Sequence, residues 1–412
     1  MIFPRFGKQH WVNQLVCKKT ADAHSKGKIH IQFCTVGKRG YVMQYRKFGN
    51  TGVEVSALGF GAMRLPVTDP SDSKSIDEKE AVRMIRTAID NGVNYVDTAY
   101  PYHGGMSEVV VGKALQDGYR EKTMLATKLP VWMVQKEEDF DRILNEQLEK
   151  LQTDHVDFYL LHALNKDRWK TVEECHLLKK LDEAKADGRI RFAGFSFHDD
   201  LNTFKEIVDA FHWDFCQIQF NYIDLEHQAG MQGLKYAASK GLGVVIMEPL
   251  LGGKLAVPPL QVQKVLPDTK TPVEWALDFL WNLPEVSLML SGMSTMQQTQ
   301  DNLMYADRSH IGMLSGEDVA MLGKAKHIYD TMAIVPCTKC AYCMPCPFGL
   351  DIPKTFEAYN QTATKGMEKA KELYDTLEKK ADACRKCRHC EKECPQHIEI
   401  SQIMTDIVKV FA

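Results

Sequence analysis

Eight of the chain's twelve cysteines fall in two tight runs near its C-terminus: Cys337, Cys340, Cys343 and Cys346 followed by Pro347, and Cys384, Cys387, Cys390 and Cys394 followed by Pro395. Three thiolates at this spacing with a fourth before a proline is the pattern of bacterial-type 4Fe-4S ligation, in which three wrap one cluster and the last reaches across to the other. By that rule Cys337, Cys340, Cys343 and Cys394 hold one cluster, and Cys384, Cys387, Cys390 and Cys346 the second. Two residues rather than three precede Cys346, so its crossover is less regular than that of Cys394. Structural zinc is the competing chemistry, but zinc sites pair one short knuckle with a distant second one. The spacing therefore predicts two cubanes and single-electron transfer.

A second group of ionisable residues lies far upstream. Asp97, Lys128 and His162 each stand at the end of a short strand-like run or just past it, and Tyr102 follows Asp97 by five residues. A phenol titrates near pH ~10 and donates a proton more readily when a buried ammonium lowers that value. Asp97 would keep the Lys128 ammonium charged, and His162 would orient a carbonyl oxygen or share a proton with Tyr102. Singly, these residues read as well as a structural ion pair and a core histidine. Together, on three successive units, they read as a proton-transfer site.

The elements that must position them form a regular series. Strand-like runs at 57–62, 94–97, 123–127, 156–161, 190–195, 215–219, 243–247 and 286–290 alternate with helical stretches at 77–91, 107–116, 136–151, 171–187 and 271–281. Eight strand-then-helix units within about 260 residues predict an α/β fold, a closed (β/α)8 TIM barrel. An open doubly wound sheet is the alternative, but no Gly-x-Gly-x-x-Gly follows a first strand. Asn91-Gly92 and Asp187-Gly188 mark helix ends, and Thr271-Pro272 marks a helix start. The Lys/Glu-rich stretch at 365–383, between the Cys runs, predicts a small, mainly α-helical ferredoxin-like domain. The expected organisation is an N-terminal extension at 1–42, a barrel at 43–333 and a dicluster domain at 334–412.

The barrel residues resemble the aldo-keto reductases. Asp97-Thr98-Ala99, Tyr102, the run from Gly104 through Glu108 to Gly112, Ala126-Thr127-Lys128 and Leu160-Leu161-His162 carry the likeness, which runs from about Tyr45 to Asp307. With both Cys runs, the chain is similar to the subgroup bearing a C-terminal 4Fe-4S domain. The resemblance implies an Asp97, Tyr102, Lys128 and His162 tetrad reducing a carbonyl, or oxidising an alcohol, with NADPH. It implies that Ser196 and Gln217 bind the nicotinamide carboxamide, with Phe197 where most members have Asn. Met247 stands where an aromatic side chain stacks on the nicotinamide. Ser291, Gly292, Ser294 and Asn302 match the phosphate and adenine segment, with Gln298 where an Arg often grips the 2′-phosphate. NADPH and NADH are both open on that account, and a flavin is a further occupant of the same pocket.

Composition excludes several partners. A formal charge of -3 offers no field for nucleic acid or an anionic membrane, and no apolar stretch is long enough to span one. Clustered thiols point to a reducing, cytoplasmic setting. The first 42 residues hold eight Lys or Arg against one acid, Asp22, and read as an upstream or weakly ordered extension before Met43, leaving Cys17 and Cys34 without a role. The function expected is an oxidoreductase acting on a small carbonyl or alcohol and exchanging electrons through two clusters, with an electron-carrier protein as partner. The competitors are an ordinary NADPH-dependent reductase with structural clusters and an electron-transfer or docking subunit with a non-catalytic barrel.

Overall fold

The computed structural model describes residues 42–332 and 335–411. The N-terminal extension, with Cys17 and Cys34, lies outside the described residues apart from Val42, and so do the two residues at the expected boundary between barrel and Cys-rich segment.

Eight parallel strands close the barrel, in the order β10-β3-β4-β5-β6-β7-β8-β9. They are β3 (Leu58–Gly61), β4 (Tyr95–Asp97), β5 (Met124–Leu129), β6 (Val156–Leu164), β7 (Ile190–Phe197), β8 (Phe215–Gln219), β9 (Gly243–Met247) and β10 (Leu288–Gly292). Nearly every strand residue is buried on both faces, which is why these runs read as continuous apolar stretches rather than as alternating ones. A short antiparallel hairpin, β1 (Tyr45–Lys47) and β2 (Glu54–Ser56), precedes the first barrel strand and was not expected from the sequence. Its turn carries Phe48 into the barrel, where it packs edge-on against Phe158 at 4.8 Å and beside Tyr95 and Phe215.

The outer layer comprises α1 (Glu78–Asp90), α2 (Met106–Ala114), α3 (Glu138–Leu151), α4 (Lys166–Glu174), α5 (Leu177–Ala186), α6 (Leu201–Ala210), α7 (Gly230–Ser239), α8 (Leu260–Gln263), α9 (Pro272–Trp281), α10 (Met296–Asp307) and α11 (Gly316–Thr331). The helix ends at Asn91-Gly92 and Asp187-Gly188 stand where expected, and α9 opens with a reciprocal Thr271/Glu274 capping box. The single helix expected at 171–187 is two, because His176 takes a left-handed conformation between α4 and α5.

The Cys-rich segment adds α12 (Ile352–Thr364), α13 (Met367–Asp375), α14 (His389–Lys392) and α15 (Ile400–Phe411) around its own core of Leu350, Ile352, Phe356, Met404 and Ile407. The helical stretch expected at 365–383 is only α13 and a turn at Ala381–Ala383, while α12 was missed. Among the described residues no helix is long and apolar enough to cross a membrane.

Candidate active site

The C-terminal ends of β4, β5 and β6 bring the expected ionisable residues together. Lys128 sits in β5 beneath the rim, fully buried, and its Nζ donates to both carboxylate oxygens of Asp97 and to the Thr98 carbonyl, each at 2.7 Å. Burial pushes Asp97 upward and Lys128 downward, and each opposes the other's shift. Three short bonds from one ammonium are those of an ionised pair.

Supporting residues behind Lys128 fix its backbone. Gln147 on α3 donates to the Lys128 carbonyl at 3.0 Å and to Glu108 at 2.7 Å, and Glu108 also accepts from Thr127 at 2.6 Å. Glu108, quoted in the sequence for its resemblance, is thus a buried brace between α2, α3 and β5.

Tyr102 lies over this pair with Lys128 Nζ 5.0 Å from its ring centroid. Here the structure corrects one expectation. The Tyr102 phenol is not lowered by its ammonium neighbour: burial raises it well above the ordinary value, and Tyr342, Asp97 and Glu248 add to the shift. The reason is geometric, since the Lys128 charge is committed to Asp97 and meets the ring rather than the hydroxyl. His162 is held neutral, its value pushed far down by burial and by the cations Lys128 and Arg168.

A cavity of about 350 Å³ begins at Asp97, Tyr102 and His162 and continues across the barrel mouth. Every residue implied for a nicotinamide nucleotide lines it: Ser196, Gln217, Met247, Ser291, Gly292, Ser294, Gln298 and Asn302. Gln217 leaves its Oε1 buried with no hydrogen-bond partner, an acceptor that fits a carboxamide N–H. Phe197 is turned away into the core against Phe195 and Phe204. Arg64 and Glu248, which carried no signal in the sequence, also line the cavity, Glu248 accepting from the Gly252 amide at 2.7 Å.

The Cys-rich segment forms the opposite wall. Thr338, Cys340, Tyr342, Pro395 and Gln396 line the same cavity as the barrel residues. Arg64 donates to the Thr338 carbonyl at 2.9 Å and Lys254 to the Val335 carbonyl at 2.8 Å. Gln219 and Gln396 exchange hydrogen bonds of 2.7 and 3.2 Å, Gln228 donates to the Pro395 carbonyl at 2.8 Å, and the His397 ring meets the His198 carbonyl at 3.1 Å. His397, three residues past Cys394, therefore also touches the barrel.

The cysteines of the two runs lie near one another. Cys337, Cys340, Cys343 and Cys394 line one small apolar cavity within the Cys-rich segment. Cys346, Cys384 and Cys387 are the neighbours of Cys390, with Cys387 exposed. All ten described cysteines are free thiols. Cys340 is pushed up to about 11, chiefly by burial, with Glu248, Cys394 and Cys337 contributing in the same direction. Four sulfurs at least partly buried, whose charges would repel one another, fit a positive iron core, which would hold them as thiolates.

Comparison with known proteins agrees with this fold. Residues 57–258 match the model described as the aldo/keto reductase family, and residues 334–398 the one described as a 4Fe-4S dicluster domain. An uncharacterized oxidoreductase of Bacillus subtilis, YrpG, is 31% identical over 234 residues, 52% of this chain and 68% of that protein. The L-galactose dehydrogenase of Arabidopsis thaliana is 28% identical over 286 residues, 63% of this chain and 87% of that one. Among solved structures, the holo form of aldo-keto reductase AKR11C1 from Bacillus halodurans has a TM-score of 0.59 at 25% identity, covering 69% of this chain and 96% of that chain. With its closed eight-stranded barrel and the residues at its rim, the chain belongs to the aldo/keto reductase family and carries a 4Fe-4S domain beyond the barrel.

Proposed function

We propose that the chain interconverts a small carbonyl compound and its alcohol with a nicotinamide nucleotide, and that two 4Fe-4S clusters exchange electrons with this site. The observation that carries the reading is the shared cavity: Tyr102 and His162 at one end, the nucleotide-side residues at the other, and Cys340 in the facing wall. A bound nicotinamide would supply the hydride and the clusters single electrons. Tyr102, held neutral, gives its proton to the oxygen of the reacting carbonyl. Lys128 keeps a positive charge beneath the ring as the phenolate forms, and Asp97 keeps that charge in place. Neutral His162, through Nε2, positions the groups that meet the same oxygen. Gln217 and Ser196 would take the carboxamide, and the rim and cluster loops keep water from the reacting atoms.

Cysteines 337, 340, 343 and 394 would hold the cluster beside the cavity, and 346, 384, 387 and 390 the outer one. Exposed Cys387, flanked by exposed Arg385, Lys386 and Arg388, is where an electron-carrier protein would exchange electrons with the outer cluster, in a reducing, cytoplasmic setting.

The test is anaerobic purification with iron and acid-labile sulfide analysis, then visible and EPR spectra with NADPH and with NADH. Bleaching of the iron–sulfur absorbance by either nucleotide is the expected result. Tyr102→Phe and Cys394→Ser then separate the alternatives. Loss of carbonyl turnover with either variant supports coupling, loss with Tyr102→Phe alone makes the clusters structural, and loss with neither makes the barrel non-catalytic.

A further inference from the structure

Tyr342 stands between Cys340 and Cys343, yet its hydroxyl lies 3.4 Å from Nε2 of His162, 180 residues away in the chain. Its ring also approaches that of Trp132 at 6.5 Å, so it is packed into the barrel mouth rather than projecting from the Cys-rich segment. It lines the cavity with Tyr102 and His162.

The hydrogen bonding of the imidazole gives this contact direction. His162 Nδ1 is buried with no partner, so the ring has one hydrogen-bond partner, Tyr342, among the described residues. A neutral imidazole carries one N–H, and a buried N–H without a partner is costlier than a buried lone pair without one. The favoured tautomer therefore has Nε2–H donating to the Tyr342 oxygen, with Nδ1 as the bare acceptor. That leaves the Tyr342 O–H with no acceptor of its own, at the wall of a cavity in which an incoming oxygen would find Tyr102.

We propose that Tyr342 is a further catalytic residue, a second hydrogen-bond donor beside Tyr102 to the oxygen of the carbonyl substrate, supplied by the cluster-binding loop and oriented by the His162 Nε2–H. This rests on the proposed carbonyl chemistry of the site. Its chemical consequence is a preference for substrates whose reacting oxygen can take more than one donor, and its structural consequence is that the site is complete only when the 337–343 loop is seated.

The experiment compares wild type with Tyr342→Phe and Tyr342→Ala, using the anaerobically prepared full chain with 4-nitrobenzaldehyde and 4-nitroacetophenone as probes. Iron content and nucleotide Kd are measured on each protein. Tyr342→Phe is expected to keep wild-type iron and nucleotide Kd while kcat/KM falls about tenfold for both probes, the worth of one hydrogen bond. Tyr342→Ala is expected to lose at least as much on the aldehyde and proportionally less on the bulkier ketone, for which it makes room. Kinetics of Tyr342→Phe within twofold of wild type would overturn the proposal, as would a fall that tracks lost iron or weakened nucleotide binding. A wild type that reduces neither probe while Tyr342→Phe likewise does nothing would overturn the carbonyl reading itself, and this inference with it.

Discussion

Lys128 and Asp97 meet at 2.7 Å where Lys128 is fully buried and Asp97 nearly so, with the ammonium bonded to both carboxylate oxygens. Such a pair is strained by removing one member, because the survivor is left as an uncompensated buried charge. Lys128→Met and Asp97→Asn are each expected to lower stability by about 3–5 kcal/mol. The double variant should recover much of that stability and none of the carbonyl turnover. Urea denaturation of the three proteins beside wild type measures the first effect, and a double variant no more stable than either single one would refute it.

Acid stability should follow two buried imidazoles. His198 is fully buried and pushed down from 6.5 to about 3, chiefly by desolvation, and His162 is displaced in the same direction. For a base whose folded value is depressed, the neutral form is favoured by the fold. Its stability contribution is complete above pH 6.5 and is lost as pH falls below 6.5 toward the folded value. Between pH 7 and pH 5 His198 alone should account for about 2 kcal/mol of lost stability. His198→Gln, which keeps a polar side chain and does not titrate, should flatten the curve by that amount; parallel curves would contradict the assignment.

Much of the barrel was legible because its strands are buried on both faces and its helices have strong end signals, such as Thr271-Pro272 and Asn91-Gly92. The rim residues were legible because each follows a recognisable strand. What escaped has physical reasons. The β1–β2 hairpin has three-residue strands, too short to show a period. The break at His176 lies in a left-handed conformation that nothing in His as a residue type announces. The phenol shift was misjudged because Tyr102 and Lys128 are near in sequence pattern, while the direction of the ammonium toward Asp97 is a fact of three dimensions. Docking of the Cys-rich segment rests on contacts such as Gln219 with Gln396, 177 residues apart, which leave no local trace.

The proposed partition of the cysteines between two clusters predicts how iron is lost. Cys394→Ser should remove the inner cluster, about half the iron, and disturb nucleotide binding, since Pro395 and Gln396 line the cavity. Cys387→Ser should remove the other half and leave nucleotide affinity unchanged, because its group lies away from the cavity. Cys346→Ser should match Cys387→Ser and not Cys394→Ser in the EPR signal that survives. A Cys346→Ser protein with the outer signal intact would break the crossover pairing.

Gly252 offers a way to unseat the Cys-rich segment without touching a cysteine. It has φ +63°, and a Cβ there would stand 2.4 Å from the Thr338 carbonyl oxygen and 2.8 Å from its Cα. Alanine must therefore push the 335–340 stretch outward, away from Arg64 and Lys254, which hold the Thr338 and Val335 carbonyls. Gly253 is the control, since its φ is also positive, +91°, and a Cβ there meets nothing within 4 Å. Gly253→Ala carries only the backbone penalty of about 1 kcal/mol. Gly252→Ala carries that penalty and the contact, so the difference between the two isolates the barrel's grip on the inner cluster loop. Chelator-driven iron release should be several-fold faster in Gly252→Ala than in Gly253→Ala, with the excess confined to the inner cluster's EPR signal. Equal release from both would mean that the Thr338 contact does not hold the loop in place.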